Sequence, residues 1–195
     1  MVDFVKTHPL GDVDMLVNAH TDPLAPTVVI GLAENISTAQ LFAKNGAGDK
    51  VSKKLKISDK PSVASSSKAF TALPLSPGQW MLIDPAGDQD FAAKIAGKVK
   101  GIGYVSDQGD ARVCFRVSGD SARALMSRGC RLDLHESVAG AGFCAQTTMA
   151  QVGVLIHQVD DTPTYDLYVY SGFASAFYDW LTHTAAQFGY RLEKI

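Results

Sequence analysis

The sequence predicts an α+β fold made of two ferredoxin-like units, each a split βαβ of strand, helix, strand, strand, helix, strand. Three observations predict it. This order of elements runs through the chain twice, over residues 27–107 and again over 108–195, in pattern and not in residue identity. Each copy holds two β-rich segments folded back on each other around turn chemistry, Ser76-Pro77-Gly78 in the first and Asp160-Asp161 in the second. Each copy also carries apolar residues at helical spacing, Phe91, Ile95 and Val99 in the first and Phe177, Trp180 and Leu181 in the second.

Residues 1–26 hold Pro9, Pro23 and Pro26 among mixed polar residues. Proline fixes φ and removes a backbone donor, so any regular element here is short, and the segment is expected as an arm ordered by what it lies against. Thr27-Val-Val-Ile-Gly-Leu32 is β-branched and apolar, a buried strand that opens the first unit. Ser37 is placed to cap a helix carrying Leu41 and Phe42, stopped at Asn45-Gly46. A second short helix, over 49–56, brings Lys50, Lys53, Lys54 and Lys56 together. These lysines could serve an anion or a partner, but a solvated helix face is the expected explanation. Ser62–Ser67 is a serine-rich loop, Ala69–Leu75 and Gln79–Ile83 form the hairpin, Asp88 or Asp90 starts the next helix, and Gly101–Ser106 closes the unit.

The second unit opens with the strand Arg112–Val117, followed by a helix over 120–128 that buries Ala122, Leu125 and Met126 and stops at Gly129. A long strand is expected over Phe143–Gln158. Both of its alternate sets are apolar in the middle, so helices cover one face and the other unit or a partner chain covers the other. Thr164–Tyr170 pairs back on it. A final helix buries a stripe of Phe173, Phe177, Trp180, Leu181 and Phe188, and Tyr190-Arg191-Leu192 is the last strand.

The 195 residues suffice for one domain or two small ones. Hydrophobic residues make up 46%, charged residues 19%, and the net charge is −2, which suits a soluble globular chain and points to no nucleic-acid or membrane-surface partner. Cys114, Cys130 and Cys144 are odd in number and lack CxxC spacing, so buried free thiols are expected rather than a disulfide framework or a zinc site. The first residues lack a basic segment followed by an apolar core, and the longest apolar runs fall far short of a bilayer span. The expected compartment is the cytoplasm.

Motifs that carry chemistry are missing. There is no GxGxxG between a strand and a helix, no GxxxxGK[ST] and no GxSxG. Gly101-Ile102-Gly103 and Gly140-Ala141-Gly142 are bends at strand starts. His8, His20, His135, His157 and His183 never pair at metal-ligand spacing. His135 stands beside Glu136 and near Asp133, an acid/base grouping in form but one set in a solvated loop. His157 lies in an apolar strand and is expected as a hydrogen-bonded core or rim residue. No catalytic, metal-ligating or cofactor-binding residue is assigned.

From Leu75 onward the chain resembles the gamma subunit family of bacterial heterotetrameric sarcosine oxidase. The resemblance rests on Leu75-Ser-Pro-Gly-Gln-Trp80-Met-Leu, on Val105-Ser-Asp107 followed by Ser118-Gly-Asp-Ser-Ala-Arg123-Ala-Leu, and on Gly129-Cys-Arg-Leu132-Asp-Leu134. Cys144-Ala-Gln-Thr147-Thr-Met-Ala150 and Ser171-Gly-Phe173-Ala174 with Trp180-Leu181 continue it. The family usually has proline where Asp120 stands. The resemblance implies a fold like the folate-binding domain of aminomethyltransferases. It also implies alpha, beta and delta partner subunits that hold FAD, FMN, NAD, tetrahydrofolate and zinc, with no cofactor in this chain. The implied complex demethylates sarcosine oxidatively to glycine. An equivalent subunit of a related N-methyl amino acid dehydrogenase would look the same. A stand-alone folate-dependent aminomethyltransferase-like protein would need a folate-facing acid, for which Asp107 and Asp133 are the candidates. The doubly apolar strand 143–158 and the proline-broken arm imply surfaces that a larger flavoprotein assembly covers.

Overall fold

The computed structural model describes residues 8–19 and 25–195; the rest of the expected arm, 1–7 and 20–24, lies outside the described residues. A short helix, Val13–Ala19 (α1), and a strand, Val28–Leu32 (β1), come first. Ser37–Ala43 (β2), Ser65–Ser66 (β3), Thr71–Ser76 (β4), Gln79–Asp84 (β5) and Gly103–Asp107 (β6) form a five-stranded sheet in the order β3-β4-β5-β2-β6. Helices Gly48–Leu55 (α2) and Phe91–Lys98 (α3) cover its outer face. Arg112–Ser118 (β7), Cys144–Met149 (β8), Val152–Asp160 (β9), Thr164–Tyr170 (β10) and Tyr190–Lys194 (β11) join β1 in a six-stranded sheet ordered β11-β1-β7-β10-β9-β8. Helices Ala122–Ser127 (α4) and Ala174–Ala185 (α5) lie on it.

Both sheets carry the antiparallel order of a split βαβ, β6-β2-β5-β4 in one and β11-β7-β10-β9 in the other. The strand that opens the first unit is not the one expected. β1 is inserted into the second sheet, parallel to β11 at Val28↔Tyr190 and antiparallel to β7 at Ile30↔Val117. A continuous apolar run reports burial on both faces and not which sheet provides it. Gly31 lets β1 fit there, since a Cβ would stand 3.0 Å from Ile195 Cγ2 and 3.2 Å from Arg116 Cβ.

The place of β1 in the first sheet is taken by residues 37–43, expected as a helix. They form a central strand, hydrogen-bonded to β5 on one side and β6 on the other. Ala39 and Leu41, two apart, are both fully buried beneath α2 and α3. Period-two burial between two neighbours overrides the helix-start signal of Ser37.

The long strand 143–158 is a hairpin. β8 and β9 pair from Met149↔Val152 outward around Ala150 and Gln151, whose φ values are +49° and +67°. Two central residues at positive φ make a type I′ turn, which usually advertises itself as Asn-Gly. Here the usual residues are missing, so the sequence conceals the turn. The two-sided burial of this segment is explained within the chain. Val154 and Ile156 enter the core under the helices, and Leu155 faces the other sheet. The apolar strand is therefore no evidence for a partner surface.

Between the sheets lies a shared layer of Leu73, Met81 and Ile83 against Cys114, Leu155 and Tyr168. One seam is closed by backbone: Ala64 donates to the Gly142 carbonyl at 2.8 Å and Cys144 to that of Ser62 at 3.2 Å. In the final helix, Phe177 and Leu181 are buried as expected, but Phe173 precedes the helix and is 55% exposed. The described part of the arm rests on the sheet edge: Val13 is buried and Asp14 pairs with Lys194 at 3.2 Å. No helix among the described residues is long and apolar enough to cross a membrane.

Candidate functional site

A cleft of about 970 Å³ opens where the two sheets meet. The segment His8–Val13, the β1–β2 connection, the start of α3 and the β6–β7 turn line it. Its charged lining is mostly acidic, with Asp12, Glu34, Asp88, Asp107 and Asp110 beside Arg112. Local structure occupies several of these groups. Asp107 Oδ1 accepts the Gly109 N–H at 2.9 Å and so closes the tight β6–β7 turn. Gln108 donates its N–H to the Thr38 carbonyl at 2.8 Å, tying that turn to β2. Asp88 is ion-paired with Lys94, which holds the carboxyl below its ordinary value. The Arg112 guanidinium stacks on the Tyr170 ring at 4.0 Å.

A second polar feature crosses the six-stranded sheet. Arg116 on β7, Asp166 on β10, His157 on β9 and Cys144 on β8 are successive cross-strand neighbours, in one row facing the inter-sheet layer. Arg116 grips Asp166 with both arms of its fork, Nε to Oδ1 at 2.7 Å and Nη2 to Oδ2 at 2.9 Å. Tyr168 Oη donates to the same carboxylate at 3.5 Å. Burial pushes the Cys114 thiol well up and that of Cys144 up to about 11, so neither is a thiolate near neutral pH.

His157 is 4% exposed, and its Nδ1 has no hydrogen-bond partner. The expected hydrogen bond at this nitrogen is therefore absent. Burial holds the imidazole below its ordinary value, against the opposing pull of Asp166. The folded chain thus binds fewer protons than the unfolded chain once pH drops below the ordinary histidine range. Stability is expected to be complete above about pH 7 and to fall as pH goes below about 6.5. His157→Gln should flatten that acid limb in urea titrations across this range. A limb of unchanged slope would assign the loss to other groups, His8 first among them, since burial lowers it too.

A model described as the sarcosine oxidase, gamma subunit family matches residues 52–187. The chain belongs to the sarcosine oxidase gamma subunit family. A sarcosine oxidase subunit gamma from Corynebacterium sp. (strain P-1) is 27% identical over 126 residues, 65% of this chain. That match spans 62% of the relative's own length. Among solved structures, a chain of the heterotetrameric sarcosine oxidase from Corynebacterium sp. U-96 superposes with a TM-score of 0.81, covering 94% of this chain and 96% of that one at 16% identity. The glycine cleavage aminomethyltransferase T from Bartonella henselae gives 0.64 at 14% identity, covering 97% of this chain and 52% of that one. The fold is shared with both.

In this gamma-subunit family member the two acids named from sequence are separated. Asp107 lines the cleft. Asp133 does not; it is exposed in the loop after α4, where Oδ1 accepts the His135 N–H at 2.9 Å. His135 Nδ1 is 2.8 Å from Ser137 Oγ, so Asp133 and the loop histidine both serve a local turn. Among the described residues no group of three His, Cys, Asp or Glu could hold a metal ion. The Arg116–Asp166 pair was not singled out from sequence. Its signal was present: each strand sets one charge within an apolar run, Val113-Cys-Phe-Arg116-Val and Tyr165-Asp166-Leu.

Proposed function

We propose that this chain is a structural subunit of a cytoplasmic heterotetrameric sarcosine oxidase. In this reading it supports the oxidative demethylation of sarcosine to glycine without taking part in the chemistry. The flavins FAD and FMN, NAD, tetrahydrofolate and zinc belong to alpha, beta and delta partners. The observation that carries the reading is the family match through residues 52–187. The occupation of the cleft acids supports the non-catalytic part: Asp107 closes a turn and Asp88 is ion-paired. The test is to produce the other subunits with and without this chain. Without it, their yield and heat stability are expected to fall while the surviving flavoprotein still turns over sarcosine. If the partners keep full yield, stability and activity alone, the support role is wrong.

A further inference from the structure

Charge is divided unevenly along this chain. Ten of its twelve lysines lie between residues 36 and 107, against six carboxylates, and none of its six arginines does. The remaining residues carry an acidic excess. The fold gathers most of these lysines into one layer. α2 and α3 both lie on the outer face of the five-stranded sheet, with Val51, Phe91, Ile95 and Val99 turned down into a common core. Trp80 Nε1 donates to the Ser58 carbonyl at 2.7 Å and fixes the end of the α2 segment to the sheet. Burying that apolar stripe forces the opposite side of both helices outward. Lys50, Lys53 and Lys54 on α2 and Lys98 on α3 are exposed there, Lys60 and Lys100 are exposed in the segments that follow the two helices, and among the described residues none of the six has a carboxylate within ion-pair distance. Lys94, in the same layer, is paired with Asp88.

We propose that this lysine face docks on an acidic surface of a partner subunit. The proposal rests on the reading of the chain as a subunit of a larger complex. Unpaired ammonium groups gathered on one side act as a long-range steering field more than as a source of affinity. The choice of lysine also bears on the kind of partner. Phosphate and base recognition favours the planar, bidentate guanidinium, often with aromatic rings for stacking. The layer has no arginine, and its one helix-borne aromatic, Phe91, is buried. A rim of point charges around a protein contact matches this composition better than a polyanion groove does.

The experiment follows the association of the full chain with the other subunits, co-expressed without it, at about 20 and 300 mM salt, where screening lengths differ severalfold. The wild-type on-rate is expected to drop about tenfold or more at the higher salt. K50E/K53E/K54E should slow association at low salt by a similar factor, and K50Q/K53Q/K54Q, which leaves the helix neutral and intact, by less. R131E, on the other half of the chain, should leave the rate unchanged, and melting temperatures show whether each variant is folded. Wild-type binding indifferent both to salt and to the lysines overturns this proposal alone. Absence of wild-type binding at any salt overturns the subunit reading and this proposal with it. Lysine-dependent binding of duplex DNA or anionic vesicles at 150 mM salt, with none to the subunits, assigns the face to another class of partner and also overturns it.

Discussion

Arg116→Met is expected to destabilise the chain by about 3–5 kcal/mol at pH 7, because it strands a buried carboxylate. Asp166 is 7% exposed at its side chain and Arg116 is 38% exposed. The two ends of the pair therefore differ. Without Arg116, the Asp166 carboxylate keeps, among the described residues, only the weak Tyr168 side-chain hydrogen bond and little access to water. Without Asp166, the guanidinium still reaches solvent, and Asp166→Asn also leaves an amide oxygen to accept from it. That variant should cost only about 1–2 kcal/mol. Urea titrations of both variants measure the asymmetry. Equal, small losses from both substitutions would mean that the row is better hydrated than its burial indicates.

Gly119→Ala is expected to cost about 3 kcal/mol or more, although it adds one methyl group. Gly119 has φ +101°, where an L side chain is strained by about 1–3 kcal/mol. An added Cβ would stand 2.5 Å from the Thr27 carbonyl oxygen. That oxygen accepts the Ser121 N–H at 3.1 Å, so the methyl group would also push apart the junction between β1 and α4. Gly97→Ala is the matching control with the opposite sign. Gly97 lies within α3 with nothing within 4 Å of the added carbon. Alanine there should stabilise by about 0.5–1 kcal/mol. Thermal unfolding of the two variants should move the midpoint in opposite directions. A stable Gly119→Ala variant would show that the β7–α4 turn can adopt another path.

The architecture was legible where period and turn chemistry agreed. The hairpin of β4 and β5 was visible because Ser76-Pro77-Gly78 separates two alternating runs, and α3 because Phe91, Ile95 and Val99 keep helical spacing. Three features were hidden for separate reasons. Thr38 to Ala43 has mixed propensities, and only its two strand neighbours decide its state. Ala150-Gln151 lacks the residues its turn normally selects. β1 is visibly a buried strand, but pairing between distant segments leaves no local trace, so its sheet could not be read. The cleft was partly legible: Asp107 lines it, and Asp133 was brought in only by its residue type. The row Arg116–Asp166–His157 depends on two strand registers at once, which no single segment encodes.

The insertion of β1 between β7 and β11 also sets a timetable for biosynthesis. Thr27, which leads into β1, donates its hydroxyl to the carbonyl of Phe188, 161 residues further on. At about 5–20 residues per second, β1 leaves the ribosome some ten to thirty seconds before its parallel partner does. The five-stranded sheet suffers no such delay, because all its strands fall between Ser37 and Asp107. All five of its strands have been made while the six-stranded sheet still waits for β11, although its inner face needs that second sheet to cover it. The nascent chain thus carries an apolar strand with one open edge until β11 arrives, and a ribosome that stops before β11 releases a product whose defect is that exposed edge.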